Sequence, residues 1–250
     1  MPVSYREVKI DARQRLRGRK PSAFLVAAVY LLISCVISVL VYRLSGYSDY
    51  VDGVYKMCDD VMQNGAQPYM VPYPSVNPLG IVLSAALLLM SVVLEFGFEG
   101  CCLQFARREK AGVRDLFNGF NQFGRAVALM VLRTLIVCAL SLFFVIPGVV
   151  AFYRYRTAVY VMLDHPEMNV FQCLAEAARQ TRGHKMEYFM LDLSFIAWLI
   201  ASYLVSYLVY VPVLDIWVSP YMGTARALYH DRLNGRCDPN AEPGGEDSVQ

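Results

Sequence analysis

Between Ala23 and Tyr42 the chain runs twenty residues without a charged side chain, and Arg43 follows at once. At 1.5 Å per residue such a helix is about 30 Å long, the thickness of bilayer hydrocarbon. The run is long for a signal-peptide core, and no A-x-A cleavage site follows, so it reads as a retained membrane span. The rest of the chain is of the same kind. Its 250 residues are 56% hydrophobic and 18% charged, with mean hydropathy +0.38. Soluble domains run at roughly 45–50% apolar and about 25% charged. This balance excludes a disordered chain and an ordinary secreted scaffold. A net charge of +2 supplies no basic field for nucleic acid.

Further apolar runs cover residues 79–103, 126–146, 189–209 and 213–229, the last with Pro220 inside it. A shorter run, 149–163, carries Arg154 and Arg156. Its Val, Leu and Phe side chains contribute about −3 kcal/mol to insertion, while each Arg at a helix centre costs roughly +2.5 to +3.5 kcal/mol. It is expected to insert only as the second arm of a hairpin, closed by a turn at Pro147-Gly148.

Charge placement supports six spans. Residues 1–22 carry seven Lys/Arg, 105–125 five, 164–188 three and 230–250 two, whereas 44–78 carries only Lys56 against four Asp. Six crossings put all of these basic stretches on the cytoplasmic side, with both termini inside. The expected fold is all-α, a polytopic six-helix transmembrane bundle with cytoplasmic interfacial amphipathic helices. Spans 23–42, 79–103, 126–146, 149–163, 189–209 and 213–229 form a single integral membrane domain over 1–236, and 237–250 is a disordered acidic tail.

Three cytoplasmic pieces read as interfacial helices. Ser4 and Glu7 form a capping box, and Tyr5, Val8, Ala12 and Leu16 then share one face beside anionic headgroups. Leu116, Phe117, Phe120 and Phe123 can lie flat on the membrane. Asn169 caps a third helix with Gln172 at its third position; Val170, Phe171, Leu174, Ala177 and Ala178 form its stripe, and Gly183 is its expected stop. Such helices tile the inner surface or dock a membrane-protein partner. The outer loop 44–78, with Pro68, Pro72, Pro74 and Pro78, favours extended polyproline-like chain.

The charges within the spans carry the functional reading. Glu95 and Arg133 both fall about eight residues from an inner helix end, roughly 12 Å deep. Glu99, Arg154, Arg156, Asp192 and Arg226 lie in the same half of the bilayer, and Glu95 and Glu99 share a helix face. Unpaired, each costs a few kcal/mol, so a network of Glu95, Glu99 and Asp192 with Arg133, Arg154 and Arg156 is expected. It either orients the helices or lines a polar cavity for a lipid headgroup or small anion, for which an excess of Arg is suited. Ser34/Ser38, Ala197/Ala201 and Ser202/Ser206 are candidate close-packing pairs.

Other chemistry is missing. No P-loop, G-x-G-x-x-G, H-E-x-x-H or G-x-S-x-G occurs. His165, His184 and His230 are scattered, and by themselves lack the convergent ligands of a metal site. No C-x-x-C occurs, and Cys101-Cys102 reads as helix packing. No catalytic residue, metal or cofactor is expected, and the partners are membrane lipids or a membrane protein, not nucleic acid.

A set of short motifs runs through the chain. They are Leu16-Arg17-Gly18, Asp115-Leu116-Phe117 with Gly119-Phe120, Ile146-Pro147-Gly148, Tyr155 and Tyr160, and Asp164 with Pro166. Gly183-His184-Lys185, Leu191-Asp192-Leu193-Ser194-Phe195 with Trp198, and Pro220-Tyr221 with Thr224-Ala225-Arg226 complete the set. In this order they resemble the bacterial integral membrane family of domain of unknown function 975. The chain departs from that pattern at Ala197, where the family usually has Gly, and in a longer turn before Pro220. It also distantly resembles the membrane portion of some glycerophosphodiester phosphodiesterases, without their soluble catalytic domain. The resemblance implies a multi-pass bacterial membrane protein and no activity. The residues themselves point to a non-enzymatic scaffold or accessory factor in the plasma membrane that organises lipid or a protein partner. The alternative is a small transporter for an anion or lipid headgroup.

Native thiols test the orientation. An impermeant maleimide is expected to label Cys58 in intact spheroplasts and Cys237 only after lysis; labelling of Cys237 from outside would refute an even number of crossings.

Overall fold

The charge-free run from Ala23 forms α2, Ser22–Leu44. It is preceded by α1, Tyr5–Arg17, and followed by α3, Tyr47–Asn64. The computed structural model describes residues 5–17, 22–65, 67–72, 77–209, 212 and 214–235. Ser4, Gly18, Pro74, Cys237 and the tail 237–250 lie outside the described residues. Next comes α4, Pro78–Ala106, where Asn77 Oδ1 accepts from Leu79 N at 3.1 Å and Pro78 sits at the first position, needing no amide partner there. A 3₁₀ segment, Asp115–Gln122, leads into α5, Phe123–Phe143. Then follow α6 (Val145–Tyr155), α7 (Ala158–Asp164), α8 (Val170–Gln180), α9 (Lys185–Leu193), α10 (Ile196–Val209) and α11 (Asp215–Leu233). Among the described residues every regular element is helical.

Four helical stretches are long and apolar enough to cross a membrane: Ala23–Leu44, Pro78–Ala106, Asp115–Phe143 and Lys185–Leu208. The expected runs 149–163 and 213–229 are not among them. The first is divided between α6 and α7 by a turn at Arg156-Thr157. The second lies in α11, whose side chains from Val218 to Asp231 are largely buried by other helices. A helix sheathed in protein needs no apolar circumference, so its low hydropathy follows from its central place.

Several expectations are corrected. The α5–α6 hairpin turns at Phe144, which is extended (φ −156°, ψ 142°), not at Pro147-Gly148. Pro147 instead occupies the first turn of α6, where a missing N–H costs nothing. The outer loop is not extended throughout, because residues 47–64 form α3. Val51, Val54 and Val61 recur there on one half-buried face, and Val71 packs back onto Gly53. The apolar stripe of α1 is not offered to lipid: Val8, Ala12 and Leu16 are buried in the same core as Leu228 and Tyr229 of α11. In α8 the Asn169/Gln172 capping box forms, with Asn169 N donating to Gln172 Oε1 at 2.8 Å. Phe171, however, points outward and Cys173 takes its place on the buried face. That helix ends at Gln180, and Gly183 supplies the left-handed residue just beyond (φ 89°). Leu116 is buried, whereas the rings of Phe117, Phe120 and Phe123 form an outward ladder. Ser38 and Ala197 are exposed, so the small-residue pairs they belong to pack no helices.

Burial divides the molecule into two zones. Around the end that carries α1, the inner end, lie two connected cores. Leu94, Phe98, Tyr160, Tyr188, Phe195 and Tyr229 belong to one; Phe96, Leu129, Val159, Met162 and Leu174 belong to the other. Beyond them the helices present apolar side chains outward. These stop at Met90 on α4 and Val150 on α6, and extend from Val131 on α5. At the hairpin tip Leu142, Phe143, Phe144, Val145 and Ile146 are 73–86% exposed. Five large apolar side chains exposed in succession fit a hydrocarbon surround.

Close approach depends on glycine at Gly97, where a Cβ would stand 1.9 Å from the carbonyl oxygen of Leu116. The 3₁₀ segment therefore lies directly on the α4 backbone. Gly97→Ala is expected to lower the melting temperature in detergent by the equivalent of about 1–3 kcal/mol. Gly124→Ala, with open space around it, should leave it unchanged or slightly raised; equal melting of both variants with the native protein would contradict this packing.

Candidate functional site

Along α11, Asp215, Ser219, Met222, Gly223 and Arg226 recur on one face. They form one wall of a cavity of about 200 Å³. Opposite stand Glu95, Phe98, Glu99 and Cys102 of α4; Tyr30 of α2, Leu199 of α10, Arg156 and Tyr160 close it. Such a volume is far larger than one water needs and smaller than the roughly 300 Å³ of a drug-sized pocket. The two walls approach because position 223 is glycine: a Cβ there would lie 2.5 Å from Cys102 Sγ.

The charged residues expected from the sequence meet here in part. Glu95, Glu99, Arg156 and Arg226 line the cavity. Asp192 stands behind Arg226, accepting from its Nε at 2.9 Å. Arg133 lies over the Phe152 ring, 5.7 Å from its centroid, and its charge reaches Glu99. Arg154 does not join: it is exposed and lies beside Tyr155. The expected excess of Arg is therefore absent from the cavity wall, which has three carboxylates, of Glu95, Glu99 and Asp215, and two guanidiniums. Glu95, Glu99, Arg156 and Arg226 sit just inside the edge of the exposed apolar belt, whereas Asp215 lies within it, beside Ser202 of α10.

Two atoms of opposite character are left open. Glu99 Oε2 and Arg156 Nε are both buried without a hydrogen-bond partner among the described residues. The charges of Arg156 and Arg226 reach Glu99 without closing an ion pair among the described residues. Buried polar groups are ordinarily satisfied, and an open acceptor and an open donor on residues that line one cavity are an arrangement a polar guest would complete. At the other end of the wall Asp215 accepts a hydrogen bond from Ser202.

Beneath the cavity lies a second cluster that the sequence reading missed. Arg107, at the C-cap of α4, donates from Nη1 to Asp164 Oδ1 at 2.7 Å, from Nη2 to Asp231 Oδ1 at 2.7 Å and from Nε to Asp231 Oδ2 at 3.1 Å. His230, fully buried, places Nε2 3.3 Å from Asp164 Oδ2. Burial opposes the charge of Arg107, but its hydrogen bonds to Asp231 and Asp164 outweigh it and hold the guanidinium above its ordinary pKa. The three helix ends of α4, α7 and α11 are thus clasped together. Arg232 extends the clasp to α1 through Asp11 (3.2 Å) and Glu7 (3.7 Å).

His230 is therefore not scattered, as the sequence suggested: Asp164, His230 and Asp231 bring ligand atoms within 4.8 Å of one another. That geometry could hold a cation, but Arg107 already supplies the positive charge to both carboxylates, so a metal would have to displace it. Arg107 had been counted only as a loop charge, and nothing local to it in the sequence names partners 57 and 124 residues away.

Arg107→Gln leaves Asp164 and Asp231 buried without a cation. It is expected to cost about 3 kcal/mol, the low end for a broken buried pair because Arg107 keeps a quarter of its surface exposed. Adding Asp164→Asn and Asp231→Asn should restore part of the loss, and a chelator should not change the melting temperature. Greater loss in the triple variant, or destabilisation by chelator, would contradict a guanidinium clasp.

Residues 127–237 match a family profile whose description is protein of unknown function (DUF975). The matched stretch holds Arg133, Arg154, Arg156, Asp192 and Arg226, while Glu95, Glu99 and Arg107 precede it. No curated protein and no solved structure matches the chain, and nothing found supports the distant likeness to glycerophosphodiester phosphodiesterases. Over residues 127–237, a little under half of its length, the chain is thus similar to the family of unknown function described as DUF975, the family its motifs resemble.

Proposed function

We propose that this protein is a multi-pass plasma-membrane protein that binds a lipid headgroup in the cavity between α4 and α11, as a non-enzymatic scaffold or accessory factor. In this reading α6–α7 and α11 add two crossings to the four apolar stretches, and both termini are cytoplasmic. The exposed apolar tip at 142–146 supports insertion of the α5–α6 hairpin. The observation that carries the function is the pair of open polar atoms, Glu99 Oε2 and Arg156 Nε, buried on one cavity wall. They stand where the apolar belt ends, the level at which headgroups meet acyl chains. Glu95 is exposed at the same level, so the cavity has an ionisable mouth.

A transporter remains the second reading, favoured by one feature. The cavity-lining face of α11 runs from Asp215 to Arg226, about 16 Å along the helix, which is the form of a path as well as of a cradle.

Purified in mild detergent, the protein is expected to retain phospholipid through exchange into excess detergent, and Arg156→Gln should release it while the helical content is unchanged. A folded native protein that carries no lipid would contradict headgroup binding. In liposomes it should move neither protons nor anions. Substrate-dependent flux abolished by Glu95→Ala or Arg133→Ala would replace binding with transport.

A further inference from the structure

We propose that the headgroup this cavity accepts carries both signs: a phosphate ester joined to a primary amine. The inference rests on the headgroup reading above and goes further by naming the chemistry of the ligand. Its basis is the mixed wall. A simple anion would satisfy Arg156 but would add negative charge beside Glu99, Glu95 and Asp215. A simple cation would satisfy Glu99 and leave the Arg156 Nε open. A guest with separated charges closes both buried groups at once and matches each charge, where a neutral hydroxyl would offer only hydrogen bonds, and each group left open carries the cost of an unpaired polar group in a low-dielectric site.

The committed partners favour the same answer. Arg226 is tied through Nε to Asp192, and Arg154 faces outward. Arg133 and Arg156 both lie over Phe152, 5.7 and 4.8 Å from its centroid, but Arg156 also lines the cavity and keeps its Nε without a partner among the described residues, so it is suited to one phosphate. Glu99 and Glu95, one helical turn apart on α4, suit an ammonium group. The rings of Tyr30, Phe98 and Tyr160 beside them provide π-faces for that cation. A primary ammonium has three N–H donors for carboxylates, whereas a trimethylated one has none, so the open acceptor on Glu99 selects the primary amine. Leu199, Val218 and Met222 continue the wall as apolar surface, where the glycerol and first acyl carbons would rest.

The test uses the full chain in detergent, titrated with phosphatidylcholine vesicles doped with either a phosphoethanolamine lipid or a phosphoglycerol lipid. The signal is the fluorescence of Trp198 and Trp217, which lie 5.3 Å apart, with Trp217 also 5.5 Å from the ring of Tyr221 on α11. The phosphoethanolamine lipid is expected to bind at least about tenfold more tightly than either other lipid, the size of one charge-assisted hydrogen bond. Glu99→Gln should remove that preference, and Glu95→Gln, at the exposed mouth, should reduce it without affecting folding. Arg156→Gln should weaken both phospholipids alike. Soluble glycerophosphoethanolamine forms a parallel arm: binding as tight as the lipid assigns a free ester as the source, and binding of the lipid alone assigns the bilayer. Equal binding of phosphoethanolamine and phosphoglycerol lipids by the native protein would overturn the zwitterion while leaving headgroup binding intact. Binding of no lipid at all would overturn both.

Discussion

One guanidinium holds the inner end of this molecule together. Arg107 caps α4 and takes the carboxylates of Asp164 and Asp231, so the ends of α4, α7 and α11 meet at a single point. Arg232 then binds α1 to the same place. Planar, five-donor geometry makes this possible: one side chain engages four carboxylate oxygens from two helices at hydrogen-bond distance, where a lysine would offer a point charge. With α11 fixed at its inner end and drawn against Cys102 at Gly223, its polar face is set opposite Glu95 and Glu99. Both carboxylates of the clasp are closed by Arg107, whereas Glu99 in the cavity above it closes no ion pair among the described residues. That difference, and not full hydrogen bonding, separates the two clusters, since His230 Nδ1 and Arg232 Nε of the clasp are also buried without a partner among the described residues.

The position of the cavity gives its chemistry meaning. Lipid tails offer no hydrogen bonds, so ionisable groups beside them must be paired, turned to water or used. The protein does all three within a few residues. Asp192 pairs with Arg226, Arg154 turns outward, and Glu99 and Arg156 remain open on a shared wall. In the proposed reading the last pair takes the phosphate and amine of a bilayer lipid, next to the apolar side chains of Leu199, Val218 and Met222.

Span positions were legible in the sequence because a hydrocarbon slab imposes a length, and Ala23–Leu44 and Pro78–Ala106 match the apolar runs to within three residues. The capping box at Asn169 was equally legible, being local. The position of each charge along its helix follows from residue count times helical rise. Azimuth was not legible. Arg154 and Arg156 stand two residues apart, about 200° around a helix, so one must face away when the other faces in, and only the neighbouring helices decide which. The α3 helix was hidden behind the prolines that follow it, although Val51, Val54 and Val61 already had helical spacing. The Arg107 clasp was illegible in principle, because its partners come from distant parts of the chain.

The most direct measurement is a density map of the protein embedded in a bilayer nanodisc of mixed native lipids. The account predicts headgroup density between Glu99 and Arg156, with acyl density leaving past Leu199. A cavity filled by Glu99 and Arg156 closing on each other, with lipid density confined to the outer faces of the helices, would contradict it.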